Sequence, residues 1–304
     1  MKHPQSNQEN QLLGANEEFT RSDNDKSRSN LRADCKKCFG LCCVALYFSA
    51  SEGFPINKEA GQPCINLQSD FHCRVHASLA ELDLKGCLAF DCFGAGQKVA
   101  QVSFGGHDWG QAPESSQQMF AVFLIMRQLH EILWYLTEAL TLPSAGLIHG
   151  AVSSMLDKTE RFTQLRPELL VKVDVAAHRT EVNILLLKTS EFIRAEARCR
   201  KKGNPARQKS VRPGADLIAA DLRSFDLSGI NLRGACLIAV DFRGTDLSGT
   251  DLIGADLRDA DLRGANLSQS IFLTQAQVNV AKGDESTKLP PSLTRPPHWN
   301  ICGK

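Results

Sequence analysis

Between Ala215 and Thr274 an apolar residue returns every fifth position: Leu217, Leu222, Leu227, Leu232, Leu237, Phe242, Leu247, Leu252, Leu257, Leu262, Leu267 and Phe272. A period of five suits no regular element. On a helix, at roughly 100° per residue, these side chains would scatter around the axis. On a flat strand every second one would face the wrong side. They share one interior only if the chain turns a corner after each pentad, which predicts a solenoid with a stacked leucine bore. The remaining positions agree. Asp or Asn precedes the central residue (Asp216, Asp221, Asn231, Asp241), small residues sit two places before it (Ala215, Ala220, Ala235, Thr245), and Gly229, Gly234, Gly244, Gly249, Gly254 and Gly264 sit two places after it. Glycine and Asx residues are corner formers. Phe225, Ile230 and Val240 occupy slots that elsewhere hold small residues, so the first coil is expected to be distorted or packed against the preceding domain.

Residues 117–198 read with a helical period. From Gln117 to Leu140 the apolar positions Met119, Val122, Phe123, Met126, Leu129, Leu133, Leu136 and Leu140 fall three or four apart. Pro143 stops this helix, a second is expected from Ser144 to Leu165, and a third starts at Pro167 as an N1 proline and continues to Ile193. His130 and His149 lie among these helices and read as packed or surface residues. Residues 98–116, with His107 and Asp108, read as a loop. The run Arg198 to Arg212 is basic and broken by Gly203 and Pro205, a linker pattern. A short helix capped by Thr274 and closed by Gly283 is expected to cover the solenoid's end.

These readings divide the 304 residues into a disordered polar tail (1–33), a cysteine-rich unit (34–112), a helical bundle (113–199), a basic linker (200–213), the solenoid with its cap (214–283) and a proline-rich tail (284–304). The fold class is α+β multidomain. The net charge of +1 implies no general attraction to nucleic acid or an anionic membrane. Neither a signal peptide nor a membrane span is expected, which makes the eleven cysteines cytoplasmic thiols.

Eight of those cysteines fall between positions 35 and 92: Cys35, Cys38, Cys42, Cys43, Cys64, Cys73, Cys87 and Cys92. Cys35-x2-Cys38 has knuckle spacing, and Cys73 with His76 repeats it with an imidazole. Dense thiols in a reducing compartment point to zinc or an iron–sulfur cluster, with redox thiol chemistry and inert buried thiols as the alternatives. With His76 these ligands can fill two four-ligand sites, or one cluster and one zinc. Cys42 and Cys43 are expected to point apart and not to share one ion. No phosphate loop, nucleophile elbow or HExxH motif is present, so no catalytic residue is assigned.

The pentads resemble the pentapeptide-repeat family, whose motif is A(D/N)LxG. That resemblance implies a right-handed quadrilateral β-helix with four pentads per coil, hence about three coils and a rod of ~15 Å. The cysteine pattern resembles the zinc- or iron-chelating cysteine-cluster family through Cys35, Cys38, Cys42 and Cys43, then Cys64 to Leu67, Cys73 to His76 and Cys87 to Cys92. Three residues rather than two separate Cys38 from Cys42, and the family's Arg-Pro before the closing pair is absent. The whole layout is similar to bacterial pentapeptide-repeat proteins described as resistance proteins for the nucleoside oxetanocin A. Together these imply a non-catalytic adaptor whose β-helix wall meets an unidentified protein partner. Two alternatives follow from the same resemblances: a DNA mimic that protects or inhibits gyrase, and an iron–sulfur enzyme or electron carrier. Nine Asp against five Arg in 215–274 make the wall mildly acidic. Oligomeric state is not legible.

Overall fold

A computed structural model describes residues 28–111, 113–200, 211–223 and 225–300. The tail expected over 1–33 lies outside these residues as far as position 27. Arg28 and Leu31 are buried, with the Arg28 guanidinium 5.1 Å over the Trp134 ring, so the chain is packed from Arg28 onward rather than from residue 34.

The cysteine-rich unit has little regular structure. It contains three short helices, α1 (Leu41–Ala45), α2 (Lys85–Leu88) and α3 (Ala95–Lys98), joined by 3-10 turns and single antiparallel bridges. Its order comes from what it packs against, because short turns bury little on their own. The support is α4 (Pro113–Leu140), whose apolar stripe of Met119, Val122, Phe123, Met126 and Leu129 is fully buried. Trp109 bonds the Phe39 carbonyl at 2.7 Å through Nε1 and stands edge-on to Phe71 and Phe120. Among the described residues α4 is the one helix long and apolar enough to cross a membrane, and two-thirds of its most apolar window is buried inside the protein.

α4 starts at Pro113, four residues before the expected Gln117. The second helix is shorter than its pattern: Pro143–Ile148 is a 3-10 turn and α5 covers His149–Thr163. The third is two helices, α6 (Pro167–Leu170) and α7 (Val175–Arg200). Asp174 lies at the break, where its Oδ1 accepts the Ala177 N–H at 2.9 Å and restarts the helix as an N-cap. α4 packs on α1, α3, α5, α6 and α7. Most of the expected basic linker, 201–210, lies outside the described residues. Arg198 and Arg200, at its start, belong to α7 and pair with Glu191 and Glu196.

The pentads wind a coil of four. Parallel bridges join residues twenty apart: Asp216 with Cys236, Asp221 with Asp241, Asn231 with Asp251, Cys236 with Asp256, Asp241 with Asp261 and Asp246 with Asn266. Each wall contributes one bridging residue rather than a strand, because corners consume the rest of the pentad. The Asp or Asn before the central residue makes that corner in every pentad but those of Leu237 and Phe272, where Cys236 and Ile271 take its place. The Asx Oδ1 accepts the backbone N–H two residues on, from Asp216 and Ile218 through to Asn266 and Ser268. Two places after the central residue the backbone is left-handed from Ala219 to Gly264 at each described position. Glycine takes that position at 229, 234, 244, 249, 254 and 264, and Ala219, Ala239 and Asp259 adopt it with a side chain. Eleven of the twelve central residues are buried, and Leu217 is half-buried at the first coil.

Two features extend the solenoid beyond the sequence reading. The cap helix α8 (Gln275–Asn279) has a complete capping box on Thr274 and Gln277 and ends at Val280, before the expected Gly283. The chain then returns to the ladder: Lys282 pairs with Asp261 and Lys288, in the proline-rich stretch, with Asn266. Trp299 is 5% exposed, lies against Gly283 and donates Nε1–H to the Ala281 carbonyl at 2.8 Å. Residues 282–288 therefore add part of a fourth coil, and the proline-rich segment after them folds back on it with Trp299 as a clasp.

The expected distortion of the first coil takes the form of a docking seat. A Cβ on Gly229 would lie 2.6 Å from the Arg194 carbonyl oxygen, and one on Gly249 2.5 Å from the Ala197 Cβ. The end of α7 therefore lies flat on two stacked glycines, with Arg198 bonded to the Gly229 carbonyl. At the other end of the bore Tyr135 of α4 meets Phe272 edge-on at 5.9 Å, and the Glu138 carboxylate accepts the Phe272 N–H at 2.7 Å. One continuous apolar core runs from Leu31 through α4 and the leucine bore to Trp299.

Candidate thiol site and repeat wall

The turn before α1 passes through Gly40 in the left-handed region (φ 64°), and this directs the Gly40 and Leu41 N–H groups at the Cys38 sulfur. Cys64 and Cys73 sit on the two arms of a small hairpin closed by the bridge between Leu67 and Cys73. The Asn66 N–H points at the Cys64 sulfur at 3.5 Å, and the Val75 N–H at that of Cys73. Gly94 and Gly96 do the same for Cys92. Four cysteines thus have a backbone N–H two residues on turned toward the sulfur, which at Cys64 makes a hydrogen bond. Such donors favour the thiolate form.

The thiols fall in two neighbourhoods. Cys87 feels Cys43, Cys64 and Cys73; burial first, then those three, push it up to about 12. Burial likewise pushes Cys38 to about 12, with Cys92 and Cys35 adding to it, and Cys92 to about 11. Cys35 is also raised, by burial and then by Cys43. Cys42 and Cys43 do not point apart as expected: their sulfurs are 3.9 Å from each other. Cys42 is raised, by its bond to Cys43 and then by burial. Cys43 is held below the usual thiol range, by the Cys42 S–H first and also by the Lys58 ammonium and Cys73. His76 stands exposed on the 3-10 turn His76–Ser78 and perturbs none of these thiols.

Lys58 is the residue that the sequence did not point to. It is 6% exposed, lies 4.4 Å over the Phe48 ring and donates to the Val44, Leu46 and Glu59 carbonyls. A buried ammonium beside Cys42, Cys43 and Cys64 offsets thiolate charge. Nothing in a lone Lys between Asn57 and Glu59 signals this.

Among the described residues no three His, Cys, Asp or Glu side chains converge closely enough to hold an ion. The donor chemistry, soft sulfur with N–H support, suits zinc or iron–sulfur. The spacing is wider than a bound metal needs, so binding would require the Cys35–Cys43 turn, the hairpin and the Cys87–Cys92 segment to close together.

Other candidates resolve into structural roles. His130 is buried, donates Nδ1–H to the Phe93 carbonyl at 2.8 Å and is pushed down to about 4 by that burial. His149 bonds the Leu142 carbonyl. Asp108 accepts the Gly110 and Gln111 N–H groups, while the adjacent His107 is exposed, so the two form a loop cap and no acid–base couple.

On the solenoid wall, Arg223, Arg243, Arg258 and Arg263 each fork onto the Asp two residues before it. Arg223 also reaches Asp241 in the next coil at 3.3 Å. Asp221 is thereby held at about 2, chiefly by Arg223. Arg233 pairs with the fully buried Asp251 at 3.0 Å.

Residues 214–249 and 235–272 match the family model described as pentapeptide repeats (8 copies). Beyond the repeats, the uncharacterized protein YybG of Bacillus subtilis (strain 168) is 55% identical over 275 residues, which cover 90% of this chain and 97% of that relative. A likeness so high over nearly the whole of both chains includes the cysteine-rich and helical units, so this chain is a pentapeptide-repeat protein and belongs to the family of YybG.

Proposed function

We propose that this protein is a non-catalytic binding protein, in which the cysteine-rich unit holds zinc or an iron–sulfur cluster and the β-helix wall meets a partner protein. The observation that carries the metal half is the set of backbone N–H groups turned toward sulfur at Cys38, Cys64, Cys73 and Cys92. With Cys35, Cys42, Cys43 and Cys87 they supply sulfur for two four-ligand sites. Most of these thiols are raised by burial, so a metal would displace protons on binding and bind more tightly as pH rises. Anaerobic purification followed by elemental analysis and an absorption spectrum tests this reading. Zinc or iron is expected at about one or two per chain, decreasing in Cys38→Ser, Cys73→Ser and Cys92→Ser. A metal-free wild type, or the same metal content in all three variants, overturns it. Iron with visible absorption would move the reading toward an electron carrier.

The adaptor half is supported by the wall itself, a regular grid of Asp–Arg pairs. The gyrase-mimic alternative is weakened by the same grid. A DNA mimic needs uncompensated negative charge, and here an arginine neutralises the wall carboxylate in pentad after pentad. A supercoiling assay at micromolar protein is expected to show no change. Resistance to oxetanocin A follows from resemblance alone, and a deletion strain with unaltered sensitivity would remove it.

A further inference from the structure

A cleft of about 840 Å³ opens where the cysteine-rich unit, α4 and the capped solenoid meet. Small-molecule sites have this size and favour such junctions. It is distinct from the thiol site, and one side of it is formed by Asp256 and Arg258 of the repeat wall. Tyr135 lines it while only 4% exposed, and no protein group among the described residues bonds its hydroxyl. Burial and the nearby Glu131 and Glu138 carboxylates keep that phenol neutral, able to donate and to accept. Glu131 and Asp91 line the same space, within electrostatic reach of each other. Arg179 takes one Glu131 oxygen at 3.0 Å, which leaves Oε1 without a protein partner among the described residues.

Of the cations that line the cleft, Lys85 and Arg258 are paired with carboxylates. Lys85 binds both Asp259 oxygens at 2.9 and 2.8 Å, and Arg258 forks onto Asp256. Arg127 lies 5.7 Å from the Phe90 ring and reaches the Asp91 carbonyl at 3.4 Å. Tyr47 and Leu124, 57% and 40% exposed, form an apolar rim. A half-open apolar wall over a floor of carboxylates and an unused hydroxyl suits one chemistry.

We propose that this cleft binds a small organic cation, an amine or amidine with a flat apolar body, its charged head on Glu131 and Tyr135 and its body against Phe90 and Tyr47. Charge-assisted bonds to a carboxylate in a shielded cleft are the strong kind, and aromatic faces attract cations. The proposal stands or falls separately from metal binding.

Calorimetric titration of the full chain, as purified, with benzamidine and with benzoate tests it. The two have the same shape and opposite charge. Saturable binding of benzamidine, with none of benzoate, is expected. Affinity should fall about tenfold in Glu131→Gln and by a smaller factor in Tyr135→Phe, which removes only the hydroxyl and leaves the buried ring. Circular dichroism reports whether each variant folds, and Tyr135→Phe keeps the test open if Glu131→Gln does not. Benzoate binding as tightly as benzamidine, no saturation with benzamidine at millimolar concentration, or unchanged affinity in the folded variants overturns it.

Discussion

The solenoid and the cysteine-rich unit of this chain are stabilised in opposite ways. In the solenoid most pentads repeat the same local solution: an Asx side chain closes the corner, a left-handed residue turns it and a leucine or phenylalanine fills the bore. Its ladder partners within the repeats are twenty residues away, one coil on. The cysteine-rich unit repeats nothing. Its short helices and turns hold their places because Phe39, Phe71 and Trp109 form an aromatic cluster on α4 and because Lys58 sits among its carbonyls and thiols. A repeated local rule makes structure that tolerates variation at any one coil, whereas a unit built on single contacts depends on each of them.

The contrast can be broken at the bore. Phe242→Ala removes a fully buried ring between two coils and is expected to cost about 3–5 kcal/mol in urea unfolding. Leu217→Ala, at the half-buried first coil, should cost far less. Equal losses would mean that the coils do not share one core.

The joint between α4 and the bore offers a pH test. Burial pushes Glu138 up from 4.5 to about 7, against the opposing pull of Arg28 and the Phe272 N–H. A carboxyl that holds its proton more tightly when folded contributes stability at low pH, and that contribution is lost as pH rises from about 4.5 to about 7. The shift corresponds to roughly 3 kcal/mol, from 4.5 to about 7. Unfolding midpoints are expected to fall between pH 5 and pH 8 in the wild type, with a smaller fall in Glu138→Gln, whose amide oxygen can still accept the Phe272 N–H.

The docking seat separates two kinds of glycine. Gly249→Ala and Gly234→Ala both place a side chain at positive φ, but only the first drives it into Ala197 of α7. The first is expected to cost about 1–3 kcal/mol more than the second, by denaturant titration. Equal costs would show that α7 does not rest on the coils. The smallest effect is a gain. Ala239→Gly relieves a left-handed alanine (φ 56°) and should stabilise by about 0.5–1 kcal/mol.

Much of this was legible in the chain. The five-residue interval located the bore and its Asp and Asn corners, while the four-pentad coil that the ladder displays was implied by the family resemblance. The stripe on α4 was legible for the same reason, since a period carries its own geometry. Helix ends were less so: the break at Asp174 depends on one cap, and Leu169, Leu170 and Val173 continue the apolar pattern across it. The partial fourth coil was hidden because Lys282 and Lys288 reach their partners at intervals of twenty-one and twenty-two residues, out of register with the pentads. The cleft and its Tyr135 floor could not be found at all, because its lining comes from units far apart in the chain.

The sequence by itself determined the solenoid, since each pentad encodes its own corner and needs only a copy of itself as neighbour. Only the tertiary structure decided where that solenoid sits, what Lys58 and Glu138 do and how the thiols are grouped. Those depend on contacts between segments with no shared period, and burial, which sets the charge state of every such group, is a property of the packed whole.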